Sequence, residues 1–165
     1  MRKISFIIGL GVLLFSVSCK RTLPDYGGTA TPKMSNGWWA TLTVDGVDVY
    51  NLGTFFFSTY NTSENQDSIW LDDLKNGYGF KSKVHVDYKS LTFTVSGSGN
   101  LYYVGTPVFP ASVTITGGKV LPKAGHSKTG VATDSLYMKA VFSDDPTTTY
   151  EIKGTARTGF VDDDY

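Results

Sequence analysis

FKSKVHVDYKSLTFTVS, Phe80 to Ser96, decides the fold class. Phe80, Val84, Val86 and Tyr88 fall on one parity with Ser82, while Lys81, Lys83, His85 and Asp87 fall on the other. That is the period of two expected when alternate side chains of a strand point to opposite faces. After Lys89-Ser90 the alternation resumes, with Leu91, Phe93 and Val95 set against Thr92, Thr94 and Ser96. Two alternating runs joined by a tight turn predict an antiparallel hairpin with one apolar and one wetted face.

The same period extends in both directions. WWATLTV (Trp38 to Val44) leads through Asp45-Gly46, a strong hairpin signal, into VDVYNLGTFFFSTY (Val47 to Tyr60). Further runs are LYYV (Leu101 to Val104), SVTIT (Ser112 to Thr116), SLYMKAVF (Ser135 to Phe142) and YEIKGTAR (Tyr150 to Arg157), with a turn at Asp144-Asp145-Pro146 before the last. SENQDSIWLDDLKNG (Ser63 to Gly77) fits a short helix face or a strand, and a strand at Ser68 to Asp72 is the preferred reading. All six prolines are expected in the N-terminal segment or between strands, because proline cannot donate to a ladder. The expectation is all-β, a single antiparallel up-and-down barrel of about eight strands, with a β-sandwich as the alternative; alternation is common to both.

Upstream of the strands, Arg2 and Lys3 precede an apolar run, ISFIIGLGVLLF (Ile4 to Phe15), and small residues lead to Cys19, the only cysteine. The run is shorter than the ~20 residues a spanning helix needs and reads as a cleaved signal peptide over residues 1–18. SVSC resembles a lipobox, although Ser16 stands where most lipoboxes carry Leu. Cys19 is therefore expected to be lipidated, with acyl chains such as palmitate making the membrane a partner and placing the chain in the cell envelope as an outer-membrane lipoprotein. Residues 19–36, rich in Pro, Gly and polar residues, read as a flexible tether, and residues 37–165 as the barrel domain.

Lys and Arg balance Asp and Glu over the 165 residues, and no basic patch stands out, so nucleic acid is excluded as a partner. Without cysteines beyond Cys19, stability must come from packing. A serine hydrolase needs a histidine beside its nucleophile, and only His85, on a polar strand face, and His126, in a loop-like KAGHSKTG, exist. SGSGN around Ser98 reads as a hairpin turn rather than a nucleophile elbow. Adjacent carboxylates such as Asp72-Asp73 and Asp144-Asp145 point to opposite strand faces or sit in turns. No catalytic constellation, metal set or cofactor motif emerges, which leaves the question of an enzyme open. Asp67-Ser68-Ile69 and Asp134-Ser135-Leu136 resemble a short O-glycosylation sequon.

Taken in order and spacing, GWWATLTVDG, FFFSTYNT, DSIWLDD, VHVDYK, FSDDPTTTYEIKG and RTGF resemble a family of Gram-negative lipoproteins catalogued as lipid-binding putative hydrolases. The likeness runs from about Gly37 to the C-terminus, and Ala156 departs from it. The resemblance implies a calycin-type, lipocalin-like barrel behind an acylated cysteine and assigns no catalytic residue. Aromatic residues make up 14% of the chain, enough to fill a barrel or to line a cavity in it. A small apolar or amphipathic ligand is accordingly expected inside, against Trp39, Phe55, Phe57, Trp70, Phe80, Val84, Val86, Phe93, Met138 and Phe142. A filled structural barrel and a hydrolase with an unidentified site are the alternatives.

Overall fold

The computed structural model describes residues 28–105 and 109–165, so Cys19, the signal peptide and the first part of the expected tether lie outside the described residues. Eight strands follow one another: β1 (Asn36–Thr43), β2 (Phe55–Asn61), β3 (Ser68–Asp72), β4 (Lys81–Asp87), β5 (Thr92–Gly99), β6 (Ser112–His126), β7 (Ala132–Phe142) and β8 (Asp145–Ala156). Each pairs antiparallel with the next, and β1 pairs with β8 from Trp38↔Ala156 to Thr43↔Glu151, closing the barrel. Closure satisfies the ladder of every strand and leaves no exposed edge, which sets aside the sandwich.

Several expected strands change length, each for a local reason. Asp45 and Gly46 make the predicted turn with positive φ (49° and 82°), but β2 begins only at Phe55. Between them Asp48 Oδ1 and Oδ2 accept hydrogen bonds from the Leu52 and Gly53 N–H groups at 3.1 and 2.7 Å, which holds residues 48–53 as a loop. Residues 101–104 form turns rather than a strand. The fully buried Asn100 amide ends β5 there, donating to Gly79 O and Pro110 O and accepting from the Lys81 and Tyr102 N–H groups. β6 runs ten residues past the expected SVTIT by passing through a bulge at Gly117-Gly118 and another between Leu121 and Gly125. Pro122 sits in that second bulge and Pro146 at the second position of β8, so two prolines lie within strands, at the positions a ladder tolerates.

Alternate strand residues fill the interior. Trp38, Phe57, Ile69, Leu71, Phe80, Met138, Phe142 and Ile152 expose no surface to a water-sized sphere, so no hydrated void lies against them. The bore is packed. Antiparallel order places the first and last described segments, residues 28–35 and 157–165, with loops 62–67, 88–91 and 127–131, at one end of the barrel, the near end; loops 44–54 and 73–80, residues 100–105 and 109–111, and the 143–144 turn form the far end.

The near end is plugged by residues expected in the tether. A 3-10 turn, Pro32–Met34, inserts Met34 with no exposed surface. Thr59 Oγ1 donates to Met34 O at 2.6 Å and accepts from Trp38 Nε1 at 2.8 Å, so the plug is pinned to the core by a satisfied polar pair. The packed fold therefore starts by Thr31, not Gly37.

Candidate ligand site

At the far end the core ends in aromatic rings. Phe142, last residue of β7, is covered by Tyr78 of the β3–β4 loop, whose ring stacks on it at 3.8 Å between centroids and 4° between planes. Tyr150 of β8 meets Tyr78 edge-on at 5.0 Å and lies nearly parallel to Tyr50 of the β1–β2 loop, at 6.1 Å. Tyr150 donates its hydroxyl proton to Asp145 Oδ2 at 2.8 Å, so in the 2.8 Å contact between the Tyr50 and Tyr150 hydroxyls Tyr50 is the donor. Burial pushes the Tyr78 and Tyr150 hydroxyls far above the ordinary phenol value, while the Tyr150 hydrogen bond, with Thr148, holds the Asp145 carboxyl below its ordinary range. The tyrosines stay neutral and Asp145 stays charged at neutral pH.

Over this lid lies an open pocket of about 310 Å³ bounded by Tyr50, Leu52, Gly77 and Tyr78. Gly77 packs its backbone close against the core, since a Cβ there would come within 2.9 Å of the Phe55 ring. Val47, Val49, Tyr50, Leu74, Leu101, Val104 and Phe109 are exposed apolar side chains on loops of the same far end. A single exposed apolar residue means little, but a group of them on adjacent loops marks a binding surface.

A second polar cluster sits on the outer wall. Asp72, buried on the outward side of β3, accepts from Tyr60 Oη at 2.8 Å, Tyr102 Oη at 2.5 Å and the Leu74 N–H at 3.0 Å, with Lys81 Nζ at 3.3 Å. Burial raises the Tyr60 and Tyr102 hydroxyls, so neither is an activated nucleophile; the cluster ties residues 100–103 to the wall. Asp73 next to it accepts from the Lys75, Gly79 and Phe80 N–H groups and shapes the loop that carries Tyr78.

Eight of the residues expected to line a cavity, Phe55, Phe57, Phe80, Val84, Val86, Phe93, Met138 and Phe142, do point inward, but they pack into one core. Trp39 and Trp70 do not join them. β1 turns Trp38 inward and Trp39 outward, onto the outer wall against Phe56 and Tyr165 at 5.5 Å each. Trp70 alternates with the buried Ile69 and Leu71 and lies on the outer wall beneath the Lys81 ammonium at 5.8 Å. His85 and Asp67, 3.4 Å apart, are both exposed. Ser98, expected in a turn, lies on β5 and donates to Lys83 O at 2.8 Å, and His126 is the exposed last residue of β6 rather than a loop residue. Ser68 is only 8% exposed and Ser135 Oγ donates to Gly154 O, so neither sequon presents a free hydroxyl for a bulky glycan. No sequence pattern singles out the pocket residues Tyr50, Leu52, Gly77 and Tyr78 as a group. Tyr50 fell inside a presumed strand, and Tyr78, in the turn-rich Asn76-Gly77-Tyr78-Gly79, carried the one available signal: an aromatic where turn residues prevail.

A scan against family models matches residues 23–161 to the lipid-binding putative hydrolase family. The chain belongs to that family. No curated protein matches it. The family's lipid-binding description fits a β-barrel of this kind, and in this member the bore is packed, while exposed apolar side chains lie on the far-end loops and also at Val131, Phe160, Val161 and Tyr165 of the near end.

Proposed function

We propose that this family member is a membrane-anchored module that binds a lipid-like amphiphile at its far mouth. One observation carries the reading: the bore is filled, whereas the far end holds an open pocket lined by Tyr50, Leu52, Gly77 and Tyr78, on the same end as exposed apolar side chains of the loops. Apolar surface left in water is worth ~25 cal/mol per Å² when a hydrocarbon chain covers it, which favours adsorption there. The anchor rests on the signal-like residues 1–18 and the lipobox-like SVSC. Chain entry at the near end would then point the mouth away from the membrane that holds Cys19.

The test uses two variants of the full chain. Cys19→Ser should move the protein from the membrane to the soluble fraction of the cell envelope, and persistence on the membrane would remove the anchor. On that released protein, a fluorescent fatty-amine or fatty-acid probe should bind saturably near one per chain, and Tyr78→Ala should weaken it about tenfold or more, as for loss of a ring contact worth ~1.4 kcal/mol. Unchanged binding in Tyr78→Ala would remove the mouth from the function.

A further inference from the structure

The chemistry of the mouth discriminates among amphiphiles. Asp48, whose carboxylate is engaged by the Leu52 and Gly53 N–H groups, stands directly behind a pocket wall, and hydrogen bonds from Gly53 and Leu52 keep it ionised below its ordinary value. Asp145 holds the Tyr150 hydroxyl from the opposite side, with Asp144 beside it in the 143–144 turn and Asp45 at the tip of the β1–β2 loop. Neither segment 44–54 nor 143–145 contains a lysine or arginine. In loop 73–80 the single lysine, Lys75, stands over the Tyr102 and Tyr103 rings at 5.0 and 5.3 Å. Between these carboxylates the walls are tyrosine rings, whose faces carry negative electrostatic potential and attract cations within ~6 Å. The Tyr50 hydroxyl gives its proton to Tyr150, which leaves the Tyr50 oxygen a free acceptor beside a half-exposed ring.

We propose that the pocket formed by Tyr50, Leu52, Gly77 and Tyr78 takes the ammonium headgroup of a single-chain amphiphile, an assignment that rests on the mouth being the lipid site. A trialkylammonium presents only methyl groups and a diffuse positive charge, which suits ring faces and nearby carboxylates without a directional hydrogen bond. A carboxylate or sulfonate headgroup would meet Asp48, Asp144 and Asp145 beside the pocket and, among the described residues of loops 44–54, 73–80 and 143–145, a single cation, Lys75, which stands over the Tyr102 and Tyr103 rings, so it is disfavoured.

Hexyltrimethylammonium and hexanesulfonate share one tail, carry opposite heads and stay monomeric at millimolar concentration. Each is titrated into the full chain carrying Cys19→Ser, with tyrosine ring signals followed by NMR on tyrosine-labelled protein. The ammonium probe should shift Tyr50 and Tyr78 saturably and bind at least about fivefold tighter than the sulfonate, the range expected for cation–π and rim charge together. Tyr50→Leu, which keeps apolar bulk but removes the ring, and the pair Asp144→Asn with Asp145→Asn should each bring the two probes closer together. Equal binding of both probes at Tyr50 and Tyr78, or a preference that survives both variants in full, overturns the headgroup assignment and leaves the mouth as a lipid site. Failure of both probes to shift Tyr50 and Tyr78 overturns the headgroup assignment and the mouth reading together.

Discussion

Asp72 shows how one buried carboxylate can organise a surface. Burial by itself would raise its pKa, yet the hydrogen bonds from Tyr102, the Leu74 N–H, Tyr60 and Lys81 outweigh burial and hold it below the ordinary 3.8. A carboxyl depressed on folding contributes stability that is fully present above the unfolded pKa and is lost as pH falls through the folded one. The window is therefore acidic, opening below about pH 4. Asp72→Asn should cost about 2 kcal/mol at pH 7, because two tyrosine hydroxyls and a lysine lose their charged acceptor. Its stability should also fall less steeply than that of the parent chain between about pH 4 and pH 2. Urea unfolding at pH 7 and pH 3 measures both; an equal loss at the two pH values would show that the charge of Asp72 is not what matters. Its neighbour Asp73 has the opposite sign, with burial pushing its carboxyl up, so only the difference between variant and parent isolates Asp72.

Among elements, the β5–β6 pair breaks regular ladder geometry twice. Its register shifts between Phe93 and Val95 and again between Val95 and Ser98, and Gly117, at φ 60°, makes the bulge on the β6 side. Gly118 then lies directly opposite Phe93. A Cβ at 118 would run into the Phe93 ring and come within 2.5 Å of its carbonyl oxygen, and a backbone atom of a paired strand cannot swing away. Gly118→Ala should cost about 2 kcal/mol as an overpacked contact. Gly99→Ala on β5, whose Cβ would meet nothing within 4 Å, should stay within about 0.5 kcal/mol. Thermal unfolding of the two variants separates a steric requirement from the general cost of removing glycine. Equal effects would mean that the bulge, not the Phe93 contact, sets the need.

For the molecule as a whole, the two barrel ends are closed differently. The near end is sealed by Met34 on its Thr59–Trp38 hydrogen bonds, and the C-terminal segment closes beside it through Arg157 and Asp164. The far end is closed by aromatic rings, with the pocket of Tyr50, Leu52, Gly77 and Tyr78 above them. Met34→Ala should remove a buried plug at a cost of ~2–5 kcal/mol while leaving probe affinity at the mouth unchanged in the folded protein. Denaturant titration reads the first and probe titration the second. A parallel loss of probe affinity would mean that the two ends are coupled through the core.

The amino-acid order alone determined the class of fold, most of the strands and their inner faces wherever apolar and polar residues alternate. Phe80 to Asp87 shows why: burying Lys81 and Lys83 in order to expose Val84 and Val86 would cost several kcal/mol, so only one orientation is open. Where both parities are apolar that argument fails. Trp38-Trp39 and Phe55-Phe56-Phe57 offer hydrophobic side chains to both faces, and only the pairing of β1 with β2 and β8 decided that Trp38 and Phe57 fill the bore while Trp39 lies outside. The mouth was less legible still, because its contacts come from loops far apart in the chain. Tyr50 and Tyr150 meet across 100 residues. Neither side chain carries a local pattern, since each owes its place to the closure of the barrel that brings the β1–β2 loop over the first turns of β8.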